Sequence, residues 1–203
     1  MLKKSYRILD VFVKNPTITY LFGDVKDHID SKSESYTYDS LKSFVKDGIL
    51  TKEKKGGLGI YKIADTPKAI SFLSMAAEYK AWSKNGIPTE SVYDLVEKTG
   101  IDFFVLLVVG SYAKNTQTQK SDLDIILIVP TDAKKIISRL RHFCEMNIPP
   151  IHLYVFTNEE FKQMLLDKKH NYGKEAVKDN LIFYGAEIYY KILFEAMKNG
   201  FTY

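Results

Sequence analysis

Four residues in the middle of the chain have the types and spacing for phosphate and metal chemistry: Gly110, Ser111, Asp122 and Asp124. They lie in residues 108–129, which read VVGSYAKNTQTQKSDLDIILIV. An apolar run, FFVLLVV, ends at Gly110-Ser111, and a second, IILIV, follows Asp124. This order predicts a strand, a tight Gly-Ser turn, a short helix and loop, and a second strand. Residues two apart on a strand point to one face, so Asp122 and Asp124 share a face and Leu123 and Ile125 take the other. Two neighbouring carboxylates repel unless a cation lies between them. A hard divalent cation such as Mg²⁺ is often held by one or two carboxylates together with substrate phosphates. Glycine lets a backbone approach a ligand closely, and amides opening a helix can hold a phosphate.

These residues resemble the signature of the nucleotidyltransferase superfamily that includes DNA polymerase β, and most closely its small "minimal" members. That signature is an apolar residue, Gly-Ser, about ten to a dozen residues, then Asp-x-Asp set in an apolar strand. Gly110, Ser111, Asp122 and Asp124 fill its named places, and Lys114 stands where those members often carry Arg. The resemblance implies a polymerase β-like domain, a small mixed sheet with flanking helices. It implies a Mg²⁺ or Mn²⁺ site on Asp122 and Asp124. It also implies a nucleoside triphosphate, ATP in the first place, gripped by Gly110, Ser111 and Lys114. A third carboxylate is expected on a later strand, within residues 151–156, where His152 stands instead. A neutral imidazole can bind metal, but it suits Mg²⁺ less well and brings no negative charge. Active and inactive versions of the site both stay open on this sequence. Minimal members often act as antitoxins that modify a partner toxin with AMP, so the acceptor is read as a toxin, another protein or a small molecule.

Composition narrows the classes. The 203 residues are 45% hydrophobic and 27% charged, ordinary for a water-soluble globular chain. No apolar run is long enough to span a membrane, and no secretory signal is apparent at the N-terminus. The single cysteine, Cys144, excludes an internal disulfide and reads as core packing. A cytoplasmic protein without a membrane partner is expected. Residues 1–65 hold 12 Lys and Arg against 9 Asp and Glu, a net of +3 out of +4 for the whole chain. That mild excess permits nucleic-acid contact without demanding it.

The flanking elements follow from periodicity. Helices are expected over residues 4–14, within 22–29, and over 38–46, where Leu41, Phe44 and Val45 form the apolar face. A polar turn is expected at 30–35, and Asp47-Gly48 closes the third helix. Residues 49–52 and 60–63 read as a hairpin with a basic tip, Lys54-Lys55-Gly56-Gly57. Three helices and a hairpin resemble a winged helix-turn-helix. In that reading Tyr38, Ser40, Lys42 and Ser43 face a DNA major groove, and Lys54 and Lys55 reach phosphates. The alternative is a domain that holds a partner protein or a second copy of the chain in a homodimer. A helix over 67–84 places Trp82 at a junction, and Asn85-Gly86-Ile87-Pro88 reads as a linker. Thr89 and Thr131 are expected helix caps. The helix after Thr131 exposes Lys134, Lys135, Arg139 and Arg141, read as a solvated face. Residues 157–160 fit a capping box, and residues 181–198 read as a last helix. The fold class is therefore α+β: a winged helix domain at 1–65, a linker helix at 66–86 and a nucleotidyltransferase domain at 87–203.

Overall fold

The structure is a computed structural model that describes residues 4–29 and 33–202. The chain divides into two compact units, Met1–Ala77 and Glu78–Tyr203. The polar turn expected at 30–35 falls partly outside the described residues.

The first unit opens with a 3₁₀ turn, Lys4–Leu9, which runs into α1 (Asp10–Lys14). After β1 (Tyr20–Leu21) come α2 (Phe22–His28) and α3 (Glu34–Lys46). β2 (Leu50–Lys55) and β3 (Leu58–Ile63) form the hairpin, and α4 (Pro67–Trp82) begins here. The three strands make an antiparallel sheet in the order β1-β3-β2. β1 was not expected; two residues carry no readable period. α3 starts a turn earlier than expected because Ser33 caps it, its hydroxyl accepting from the Tyr36 amide at 3.2 Å. The hairpin turns on Gly56 and Gly57, with φ of 58° and 82°. Positive φ at both central residues is what a twist-matched two-residue turn needs. Ile8, Leu9, Phe12, Val25 and Leu41 are fully buried and make the core of this unit.

The second unit holds α5 (Thr89–Thr99), β4 (Val105–Val108), α6 (Gly110–Lys114) and β5 (Leu123–Val129). α7 (Ala133–Met146), β6 (Ile151–Thr157), α8 (Asn158–Leu166) and α9 (Tyr172–Lys178) follow. β7 (Leu181–Tyr184) and α10 (Ala186–Lys198) close it. Its sheet has the order β6-β5-β4-β7. β4 is antiparallel to β5 and β7, whereas β5 and β6 are parallel. A parallel pair needs a crossover, and α7 supplies it. The mixed sheet with flanking helices is the α+β architecture expected for this half. β4 and β5 are its spine: every residue of both is buried except Asp124.

Several local expectations change. Residues 181–184, LIFY, are a strand and not the start of the last helix. So short an apolar run has no period that tells strand from helix. Gly185 separates β7 from α10 at φ +72°, where a Cβ would overlap the Phe104 carbonyl oxygen. Thr89 is the first residue of α5, not its cap, and Pro88 precedes it. Asp132, at φ 59°, replaces Thr131 ahead of α7 and makes no side-chain cap bond. The capping box at α8 is present: the Thr157 hydroxyl accepts from the Glu160 amide at 3.1 Å, and Glu160 accepts from the Thr157 amide at 2.7 Å. Cys144 is buried, and burial pushes its thiol up to about 11. Among the described residues no helix is long and apolar enough to cross a membrane.

Candidate active site

The site starts from the rungs of the second sheet. β4 ends two residues before Gly110, and the Val109 amide between them donates to the Asp124 carbonyl at 3.0 Å. This bond brings the start of α6 alongside Asp124. Gly110 adopts φ +64°, a region that disfavours side chains. A Cβ at Gly110 would overlap Asp124 Oδ2 and come within 3.1 Å of its Cγ. The carboxylate therefore lies in the space a side chain at position 110 would fill.

Three contacts hold the turn. The Ser111 carbonyl accepts from the Thr116 amide at 2.9 Å. Lys84 Nζ donates to the carbonyls of Tyr112 and Ala113 at 3.1 and 3.0 Å, satisfying the end of α6. Burial draws the Lys84 ammonium below its ordinary range, with the nearby Lys80 adding to the effect. The Ser111 side chain has no hydrogen-bond partner among the described residues, and Lys114 is exposed at the last position of α6. Lys84 carried no signal as a site residue in the sequence, since it stands far from the Gly-Ser turn along the chain.

On the other side, β5 and β6 run parallel with Asp124 opposite His152. His152 Nδ1 lies 3.5 Å from Asp124 Oδ1, and the Tyr154 hydroxyl lies 3.5 Å from the same nitrogen. The His152 and Tyr154 rings are 4.7 Å apart, and Tyr154 and Tyr172 are 4.5 Å apart. Burial raises the Asp124 carboxyl above its ordinary range; His152 draws it down and the Asp122 charge pushes it up again. Tyr172 is also raised, first by burial and then by the Asp124 charge. Asp122 is exposed, just before β5. Tyr154 was not singled out from the sequence, although it stands two residues from His152 on the same strand. Tyr172 arrives from α9 and left no signal.

Residues 97–196 match the family model of the nucleotidyltransferase domain. The match takes in Gly110, Ser111, Asp122, Asp124 and His152 and covers a little under half the chain. A search of curated protein sequences finds no match. Among solved structures, the chain is similar to TrmBL2, described as an archaeal chromatin protein with a novel mode of DNA binding. The two share 13% identity over 87% of this chain and 71% of that one, with a TM-score of 0.27, too low to carry an argument.

The matched region fits a hard divalent cation by the chemistry of its donors. Asp122 and Asp124 supply oxygens, their mutual repulsion favours a cation, and His152 offers a nitrogen beside Asp124. Among the described residues no group of three or more His, Cys, Asp or Glu is gathered closely enough to hold a metal ion by itself. Asp122 and Asp124 are thus a partial set that substrate phosphates would complete.

The residues expected to meet DNA belong to the first unit, and their placement is mixed. Tyr38, Lys42 and Ser43 are exposed on α3, and Lys54 is exposed near the hairpin tip. The side chain of Lys55 lies outside what the structure describes. Ser40 is only 8% exposed and shares the packed face of α3 with Thr37, Leu41 and Phe44. The helical period puts it there, three residues from Thr37 and four from Phe44, so it does not face outward as expected. Ser43 donates to Asp47 at 3.3 Å within the same helix.

Proposed function

We propose that this protein transfers a nucleoside monophosphate, AMP from ATP, to a hydroxyl on a protein or small acceptor, in the manner of an antitoxin that modifies its toxin. The observation that carries this reading is the interlock of Gly110 with Asp124, which sets the Gly-Ser turn directly against a carboxylate. In this reading the Gly110-Ser111 turn and Lys114 hold the β- and γ-phosphates. Lys84 keeps the turn's carbonyl end satisfied, so its amides keep their direction. Asp122 and Asp124, with His152 beside them, would hold Mg²⁺ or Mn²⁺. Such an ion supplies charge stabilisation for the attacking and leaving oxygens. The acceptor oxygen forms a bond to the α-phosphorus, the bond to the bridging oxygen breaks, and pyrophosphate leaves with the transferred electron pair. The acceptor proton passes to solvent or to a nearby base. His152 in place of a third carboxylate gives slow turnover, since it removes one anionic oxygen from the reacting centre. The cytoplasm is the compartment that supplies the triphosphate.

The test is isothermal calorimetry of Mg-dependent ATP binding with wild type and the Asp122→Asn/Asp124→Asn variant. These replacements keep shape and remove charge. Binding should collapse in the variant, and unchanged affinity ends this reading. Labelled ATP with candidate acceptors then reads transfer directly.

A second reading is a weakly active or inactive regulator whose first unit, as a winged helix, binds duplex DNA. What supports it is the exposure of Tyr38 and Lys42 on α3 and of Lys54 near the hairpin turn. Affinity of the full chain for duplex DNA should then fall steeply with added salt, as released counterions require. Absence of duplex binding at low salt turns this unit into a protein-contact domain.

A further inference from the structure

The second unit carries a cavity of about 380 Å³ lined by Trp82, Thr89, Glu90, Tyr93 and Asp94. Its walls combine two aromatic faces with two carboxylates. Trp82 is the only tryptophan in the chain and is 41% exposed, although its polar edge is already committed. Its indole nitrogen donates to the Phe183 carbonyl at 2.9 Å, and its ring meets the Phe183 ring edge-on at 4.9 Å. The indole is therefore fixed in orientation while part of its surface stays open. Tyr93 is 57% exposed. Glu90, Tyr93 and Asp94 lie within one turn of α5, so their side chains emerge close together. Neither the Glu90 nor the Asp94 carboxylate has an ion pair or hydrogen bond among the described residues. Lys98 is the lysine one turn on that would ordinarily pair with Asp94. It instead sets its Nζ over the Phe143 ring at 5.3 Å. Two carboxylates without a cation, beside two aromatic faces, form a site with uncompensated negative charge.

We propose that this cavity binds an organic cation, a guanidinium or alkylated ammonium group held against Trp82 and Tyr93 and neutralised by Glu90 and Asp94. An aromatic face attracts such a cation through its quadrupole, and tryptophan does so most strongly. A small inorganic cation gains little from the aromatic walls because it keeps its hydration shell. The volume lies within the range of small-ligand pockets and exceeds what a single hydrated ion needs. A nucleic acid is disfavoured by the two unpaired negative charges. The cation arrives either as a free amine or as an arginine or lysine side chain of a protein, and the two sources share this chemistry.

The lone tryptophan makes the test direct. Full-length protein is titrated with arginine amide and with tetramethylammonium while Trp82 fluorescence is followed. Citrulline amide serves as the neutral counterpart and sodium chloride as the ionic-strength control. Saturable change with both cations and none with citrulline amide is the expected result. Glu90→Gln/Asp94→Asn should weaken binding about tenfold while leaving the urea unfolding midpoint in place, because both side chains are exposed. Tyr93→Ala should also weaken it. A blocked basic peptide that binds more tightly than arginine amide identifies a protein side chain as the source, and equal affinity identifies a free amine. No saturable response to any cation, or equal affinity in wild type and the carboxamide variant, overturns the proposal. Mg-dependent ATP binding should be the same in that variant as in wild type, so this result stands apart from the fate of the Asp122 and Asp124 site.

Discussion

The two sheets of this protein bury their strands to different depths, and that difference decides what each can hold in place. β5 in the second unit is buried along its whole length except at Asp124. β3 in the first unit alternates, with burial only at Tyr61 and Ile63. A strand buried on both faces cannot shift register without moving its entire apolar content. Asp124 therefore has one address. The hairpin of the first unit has Gly56 and Gly57 at its turn, with Lys52 and Lys54 exposed along the strand before it.

The largest test of this contrast is to truncate both sheets. Leu127→Ala should lower the unfolding free energy of its unit by about 3–4 kcal/mol, as expected for a fully enclosed leucine. Leu58→Ala, at a 58% exposed position of β3, should cost under about 0.5 kcal/mol. Urea denaturation of both variants measures this, and equal losses break the comparison. Next in size is Gly110→Ala. The positive φ and the overlap with Asp124 predict a loss of roughly 2 kcal/mol together with loss of Mg-dependent ATP binding. The same change at Gly56, also at positive φ but with nothing within 4 Å of a Cβ, should cost about 1 kcal/mol and spare ATP binding.

Smaller, and opposite in sign, is the effect of Asp124 itself. Its folded carboxyl is raised above its unfolded value, chiefly by burial. In that window the folded state binds more protons than the unfolded one, so stability falls as pH rises from the unfolded value through the folded one. Asp124→Asn should therefore stabilise the protein at neutral pH by about 0.5–1 kcal/mol while removing ATP binding. At acid pH the gain should vanish. Thermal melts of wild type and variant between acid and neutral pH read this directly, and a gain independent of pH rejects it. The smallest expected effect is on DNA. Lys42→Ala and Lys54→Ala should each weaken duplex binding several-fold and lower its salt dependence. Ser40→Ala, on the packed face, should leave binding unchanged.

Those magnitudes also show what was legible in the sequence. Gly110, Ser111, Asp122 and Asp124 were readable because chemistry and burial reinforce each other there: two apolar runs fix the strands, and the breaks between them fix the turn. His152 was singled out because the resemblance expects a third carboxylate on that strand, and the parallel register with β5 then sets it opposite Asp124. Lys84 and Tyr172 were not, since each reaches the site from an element far away in sequence. The Leu181–Tyr184 strand was hidden for a different reason. Four apolar residues fit either period, and only the sheet edge at β4 decides between them. Ser40 failed on phase: α3 begins at Glu34, and once its capped start is known the packed face follows from counting.

The parallel pairing of β5 with β6 has a consequence in time. Gly110, Ser111, Asp122 and Asp124 come from one short span of chain, and the antiparallel β4–β5 pair that joins them closes a modest loop. His152 and Tyr154 reach Asp124 only after the whole of α7 has crossed over and packed. Contacts that close longer loops bear the larger entropic cost and, on that account, tend to form later. A chain still emerging from the ribosome would therefore hold its Gly-Ser turn and both carboxylates before it holds His152 and Tyr154 beside them. Assembly in that order makes the Gly110–Asp124 interlock an early feature of the second unit and its contact with β6 a late one.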